Sequence, residues 1–159
     1  MFDIERQRRH VRLPGHSYNS PGSYFITLCT LNRDCYLGEV VGDQVELSRE
    51  GEIAWKEWTG LAASFPGLTM DTHIVMPNHL HGILILDGVT PGCPIVGNVI
   101  RRFKSATIQQ ARRMPIKDSE MRWQRNYYEH IIRSEDDLVR IREYVDQNPL
   151  RWAQAGKRE

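Results

Sequence analysis

The stretch Leu68-Thr69-Met70-Asp71-Thr72-His73-Ile74-Val75-Met76-Pro77-Asn78-His79-Leu80-His81-Gly82-Ile83-Leu84-Ile85-Leu86 decides the fold. Two runs rich in apolar and β-branched residues, 68–75 and 79–86, are parted only by the turn signal Met76-Pro77-Asn78. So short a connection joins antiparallel neighbours, because a parallel pair needs a crossover of a dozen or more residues. In the second run His79 and His81 are two apart, so both imidazoles leave one face of the strand while Leu80 anchors the other.

Upstream of this pair, the turn-rich Asn19-Ser20-Pro21-Gly22 ends an irregular arm over residues 1–21. Ser23 to Leu31 reads as a strand whose two faces, Tyr24, Ile26, Leu28 and Phe25, Thr27, Cys29, are both apolar or small, which predicts a central position. Tyr36–Val41 and Gln44–Leu47 flank Gly42-Asp43 and read as a small hairpin. Ser48 can cap a helix to about Ser64, with Ala54, Trp58, Leu61, Ala62 and Phe65 on its inner side and Pro66-Gly67 stopping it.

Downstream, a helix is predicted to start near Pro94, with Val96, Val99, Ile100, Phe103, Thr107 and Ala111 as its buried stripe. Met114–Arg125 is a polar loop, and Tyr127–Ile132 a last strand. Ser134, followed by Glu135, Asp136 and Asp137, opens a final helix that runs to about Gln147, because Pro149 disfavours its continuation. The order is β-α-β-β-α-β with an inserted hairpin and an extra C-terminal helix. That is an α+β, ferredoxin-like split motif: an antiparallel sheet with helices on one face and the other face free for a site.

Composition sets the bounds. The chain has 159 residues, with 40% apolar and 26% charged, so a single domain spanning 1–159 is expected. No run of apolar residues is long enough for a membrane span, and the polar N-terminus is unlike a secretory signal. Cys29, Cys35 and Cys93 are odd in number without a C-x-x-C pair, which argues against a disulfide framework and for a reducing cytoplasm. The net charge is only +1, yet residues 101–125 hold eight basic residues against two acidic ones. Arg6, Arg8, Arg9 and Arg12 make the arm basic as well, while 39–71 is acidic. A basic segment on a neutral protein suits an anionic partner, commonly nucleic acid; the plainer account is a solvated helix face.

Two neutral imidazoles side by side can bind a divalent ion, although H-x-H pairs also occur on ordinary half-exposed strands. On the last helix Tyr144 and Asn148 are one turn apart, at the edge of the stripe Leu138, Ile141, Val145. They can be ordinary edge residues, or a phenol nucleophile with a ligating amide. His73, His130, Tyr127, Tyr128, Trp123 and Trp152 read more plainly as scaffold, with contact to a site or to nucleic acid as the alternative.

Taken in order, Tyr24-Phe25-Ile26-Thr27, Val75-Met76-Pro77-Asn78-His79-Leu80-His81-Gly82, Arg101-Arg102-Phe103-Lys104-Ser105, Trp123-Gln124-Arg125-Asn126-Tyr127-Tyr128-Glu129-His130, and Tyr144 with Asn148-Pro149 resemble the REP-associated tyrosine transposases. These are relatives of the insertion-sequence-200-type transposases, within the His-hydrophobic-His single-strand endonucleases. The resemblance runs from the basic arm to Trp152. It implies a bacterial, cytoplasmic enzyme acting on nucleoid DNA, its substrate a palindromic, hairpin-forming single strand cut through a 5′-phosphotyrosine. It implies Tyr144 as nucleophile, and His79, His81 and Asn148 as ligands of Mg²⁺ or Mn²⁺; two imidazoles favour Mn²⁺ or Zn²⁺ occupancy in vitro. The arm, with Arg6, Arg8, Arg9 and Arg12, resembles the segment that reads DNA beside a hairpin. Arg101, Arg102, Lys104, Arg122 and Arg125 are the further expected DNA contacts. Exchange of the tyrosine helix, 134–148, between protomers would give a homodimer. The competing readings are a non-catalytic nucleic-acid-binding domain and a metal-dependent hydrolase of small phosphoesters.

Overall fold

The structure is a computed structural model that describes residues 21–114, 119 and 121–156. The arm arginines Arg6, Arg8, Arg9 and Arg12 lie outside the described residues. Among the described residues six strands form: β1 (Gly22–Cys29), β2 (Gly38–Val41), β3 (Gln44–Leu47), β4 (Leu68–Met76), β5 (His79–Leu86) and β6 (Tyr128–Ile132). Five α-helices accompany them among the described residues: α1 (Arg49–Thr59), α2 (Leu61–Ser64), α3 (Val96–Arg113), α4 (Glu135–Asp146) and α5 (Asn148–Gln154). Among the described residues no helix is long and apolar enough to cross a membrane.

The main sheet has the order β4-β5-β1-β6, all pairs antiparallel, and β2-β3 form a separate two-stranded sheet. This is the split β-α-β-β-α-β arrangement. Strand β1 lies between β5 and β6, as its two apolar faces predict. Its register sets the site: Thr27 stands opposite His81 and Cys29 opposite His79. One face carries Tyr24, Ile26, Leu28, Leu80 and Leu84, packed on Trp58 of α1 and on Val99, Ile100 and Phe103 of α3. Gly82 belongs to this face, where a Cβ would overlap the Trp58 indole, so only glycine lets α1 lie this close.

The opposite face is not free. Ile141 and Val145 of α4 bury against Phe25 and Ile83, with Ile74, Ile85, Tyr128, Ile132, Leu138 and Tyr144 around them. Each fully buried apolar side chain of this kind contributes roughly 1.5–3 kcal/mol, which explains why the sheet face is covered rather than left to water. Two bonds from the rim hold α4 on its own sheet. Arg142 grips Asp71 of β4 through two nitrogens, at 3.0 and 2.7 Å, and His130 of β6 lies 2.9 Å from Asp137.

Helix boundaries follow the caps, with two departures. Ser48 accepts from the Gly51 amide and Ser134 from the Asp137 amide, as expected of N-caps. The helix predicted over 48–64 breaks at Gly60 into α1 and α2, and Ala62 turns outward to solvent. Pro149 does end α4, but it also sits in the first turn of a new helix, α5, where its missing N–H costs nothing. Helix α5 packs back against β2 and β3, which gives the hairpin a role in supporting the C-terminal helices.

Candidate active site

Strand alternation sends His79 and His81 onto the α4 face. His81 is buried, at 2% exposure, and its ring stacks on Phe25 with centroids 5.3 Å apart. Tyr144 comes down from α4 onto the edge of His81, at 5.4 Å between centroids, and onto Phe25 at 6.2 Å. His79 and His81 are themselves 4.5 Å apart. Asn148, buried at 7% exposure, brings its Oδ1 to 3.3 Å from His79 Nε2. The four residues His79, His81, Tyr144 and Asn148, the first and last of them 69 positions apart in sequence, therefore meet in one place. The expectation that the histidines point away from the core holds only in part, since His81 is enclosed between Phe25 and Tyr144.

Each imidazole is held from behind. Nδ1 of His79 is hydrogen-bonded to Asn78 Oδ1 at 2.7 Å, and Nδ1 of His81 to Thr27 Oγ1 at 2.8 Å. With Nδ1–H donated, Nε2 of both rings carries a lone pair, the arrangement that orients a metal-ligating histidine. Burial holds the His79 pKa down to about 4, against a raising contact from Asn148 and with a further lowering from the charge of Arg33. Burial, then the neighbouring His79, pushes His81 well down too. Both rings are neutral at pH 7, as ligation requires.

The tautomer that donates Nδ1–H to Asn78 leaves His79 Nε2 facing Asn148 Oδ1, an acceptor against an acceptor. A cation between them turns that contact from repulsion to attraction. The 3.3 Å separation is an ordinary hydrogen-bond distance when Nε2 carries the proton, and with Nε2 unprotonated it leaves both atoms close enough to share one divalent ion. The donor set of two imidazoles and one amide oxygen fits a divalent ion with open positions for water or phosphate. Among the described residues no group of three His, Cys, Asp or Glu side chains gathers as a metal site, so any third protein donor beside the two imidazoles would be an amide such as that of Asn148.

Around this cluster lie residues that the sequence reading left out or took as scaffold. Trp152, four residues beyond Asn148, stands 6.1 Å from the His79 ring, and the Arg151 guanidinium lies 4.9 Å over the Tyr144 ring. Their i+3 and i+4 spacing from Asn148 was a signal, hidden by the expectation that the helix stops at Gln147. Asn78 could be suspected as the neighbour of His79; Thr27 becomes visible only through the β1–β5 register. The other histidine candidates lie elsewhere. His73 shares the α1 face with Gly82 and approaches Trp55, and His130 binds Asp137 of α4. Trp123 is core, donating its indole N–H to Thr107 Oγ1.

The expected DNA contacts divide. Arg101 and Arg102 are exposed on the first half of α3, and Arg122 and Arg125 are exposed on the loop before β6. That loop runs past the site end of the sheet, since the Gln124 amide bonds the Cys29 carbonyl, beside His79. Lys104 is half-buried, and its ammonium donates to the carbonyls of Gln124 and Arg125, at 2.7 and 3.1 Å. It ties the loop to α3.

No protein-family model matches the chain. An uncharacterized protein of Haemophilus influenzae is 37% identical, across 92% of this chain and 91% of its own length. The chain belongs to one family with that protein. Among solved structures, a REP-associated tyrosine transposase bound to a REP hairpin superposes with a TM-score of 0.64 at 19% identity, covering 89% of this chain and 74% of its own. A candidate transposase of Deinococcus radiodurans gives 0.54 at 17% identity, covering 86% and 95%. The family to which the chain belongs therefore has the fold of the REP-associated tyrosine transposases.

Proposed function

We propose that this chain is a transposase of the REP-associated tyrosine type, a single-strand DNA endonuclease and strand transferase. The observation that carries the reading is the meeting of Tyr144 with His79, His81 and Asn148 on one sheet face. The transposase neighbours, one of them bound to a hairpin, support hairpin-forming single-stranded DNA as the partner. The basic surface of Arg101, Arg102, Arg122 and Arg125 supports a polyanionic ligand.

The phenol oxygen of Tyr144 attacks the scissile phosphorus. A bond forms between Tyr144 Oη and phosphorus, the bond from phosphorus to the 3′ oxygen breaks, and the phenol proton passes through solvent to the leaving 3′ oxygen. The products are a 5′-phosphotyrosine and a free 3′-hydroxyl. One diester replaces another, so the step reverses without a nucleotide cofactor, and a second 3′-hydroxyl can take the strand. His79, His81 and Asn148 would hold a divalent ion, Mg²⁺ or Mn²⁺, which when bound neutralises charge on the non-bridging phosphate oxygens. Helix α4 holds the Tyr144 ring between His81, Phe25 and Arg151, so the nucleophile is oriented before DNA arrives.

The test is incubation of the protein with end-labelled hairpin DNA and Mn²⁺, followed by denaturing electrophoresis and peptide mapping. We expect a denaturant-stable adduct on the peptide containing Tyr144. Tyr144→Phe should keep the fold, Mn²⁺ binding and hairpin affinity yet form no adduct, whereas Tyr127→Phe and Tyr128→Phe should still form it. An undiminished adduct in Tyr144→Phe refutes the assignment.

A further inference from the structure

Between β1 and β2 the chain makes one short 3-10 turn, Leu31–Arg33, in which two consecutive non-glycine residues are left-handed: Asn32 at φ 57° and Arg33 at φ 56°. That conformation is uncommon for an arginine and persists only where the surroundings hold it. Here they do. Asn78, a buried side chain at 3% exposure, donates its Nδ2 to the Arg33 carbonyl at 3.4 Å, while its Oδ1 bonds His79 Nδ1 at 2.7 Å. Asn78 is fixed in turn at its own carbonyl, which accepts from the amide and the hydroxyl of Thr30, at 3.0 and 3.1 Å. One carboxamide thus ties the strained turn to a site histidine.

The Arg33 side chain extends toward the same place. Its Nη2 is 3.8 Å from Cys29 Sγ, and Cys29 is the cross-strand partner of His79. Its charge is close enough to act on the His79 imidazole. Arg33 is exposed, and among the described residues no carboxylate pairs with it. A solvent-facing guanidinium near the neutral His79 imidazole, carried on a strained turn and without a carboxylate partner among the described residues, is arranged to receive an anion.

We propose that Arg33 is a phosphate-binding residue of this site, positioned by Asn78 to take the non-bridging oxygens of a DNA phosphodiester lying against His79. The proposal rests on the strand-cleavage reading for the identity of that phosphate as the scissile one. Arginine suits the task because its planar fork can hold two oxygens at once, which a lysine ammonium cannot.

The experiment uses the whole chain and a fluorescein-labelled DNA hairpin with single-stranded flanks of mixed sequence. Binding is followed by anisotropy over a salt series, and adduct formation with Mn²⁺ is followed in parallel. Arg33→Gln should lower the slope of log affinity against log salt by about 0.7, the value for one single-strand phosphate. It should slow adduct formation at saturating DNA by about tenfold or more. Arg33→Lys should restore the slope but only part of the rate. Arg33→Gly relieves the left-handed strain and still lacks the guanidinium, so its folded state is secure and its slope should match that of Arg33→Gln. An unchanged slope in Arg33→Gln and Arg33→Gly overturns the inference, and so does a reduced slope with an unchanged adduct rate. If the wild type forms no adduct while the slope still falls, the cleavage reading fails and the phosphate contact stands. No binding of the hairpin by the wild type overturns both.

Discussion

Thr27→Val isolates the hydrogen bond behind His81. The two side chains have nearly the same shape, and Thr27 is buried at 6% exposure, so the change removes one hydroxyl and little else. In the wild type Thr27 Oγ1 lies 2.8 Å from His81 Nδ1, and in the tautomer that frees Nε2 it accepts the Nδ1–H. In the variant that N–H faces the added methyl group in place of the hydroxyl. An orphaned buried donor costs about 1–3 kcal/mol, and the added methyl returns about 0.8 kcal/mol of apolar burial. The net loss is about 1 kcal/mol, which lowers the melting temperature of a domain this size by about 2–4 °C. The functional effect is larger. The imidazole can escape its orphaned donor by moving the proton to Nε2, and that tautomer has no lone pair on Nε2, the atom through which His81 would ligate a metal beside His79. Loss of such a supporting bond weakens metal affinity by about 10–100-fold. Isothermal titration with Mn²⁺, read beside thermal melting, separates the two effects, and Thr27→Ser should restore both. Unchanged Mn²⁺ affinity in a folded Thr27→Val protein would refute the claim that Thr27 sets the His81 tautomer, and no Mn²⁺ binding by the wild type would refute the ligand set itself.

Two further outcomes are expected from the residues that hold α4 and the basic loop. The Arg142 guanidinium beside Asp71 holds its carboxyl at about 2, below the ordinary 3.8. The ionised carboxylate is thus favoured by folding, so its stabilisation is full above about pH 4 and is lost as pH falls through about 2. Solvent screening of the exposed Arg142 guanidinium keeps the contribution of this bidentate pair modest. Asp71→Asn should therefore lower the melting temperature at pH 7 and make little difference near pH 2; an equal deficit at both pH values would disprove the ionic origin. Lys104→Met should cost about 1–2 kcal/mol in a melting experiment, by leaving the Gln124 and Arg125 carbonyls without their donor, and should leave the salt slope of hairpin binding unchanged. A reduced slope without loss of stability would make Lys104 a DNA contact after all.

Much of the fold was legible because the signals are local. The turn at Pro77-Asn78, the hairpin at Gly42-Asp43 and the caps Ser48 and Ser134 are set by backbone chemistry within a few residues, and each lies where the sequence predicts it. The buried stripe of α3 is the predicted one, Val96, Val99, Ile100, Phe103, Thr107 and Ala111, because an amphipathic period carries its own record of which side is inside. The pairing of His79 with His81 follows from strand alternation alone.

What the sequence by itself determined, then, is which residues share a face; what only the tertiary structure decided is which faces meet. Leu138, Ile141 and Val145 mark α4 as one-sided but do not say what they cover, and the sheet face expected to be open is the one they close over. Pro149 reads locally as a stop, yet packing of the following turn against β2 and β3 makes it a start, which brings Arg151 and Trp152 to the site. Lys104 reads as one of a row of surface cations until two carbonyls from a distant loop claim its ammonium. Thr27 and Asn78 matter through hydrogen bonds to the imidazoles, and Arg33 through a strained turn that Asn78 restrains. The physical reason is one of range. Dihedral preferences, capping and periodicity act over a turn or a strand and are written in adjacent letters, whereas burial and hydrogen-bond satisfaction are settled between groups that only the folded chain brings together.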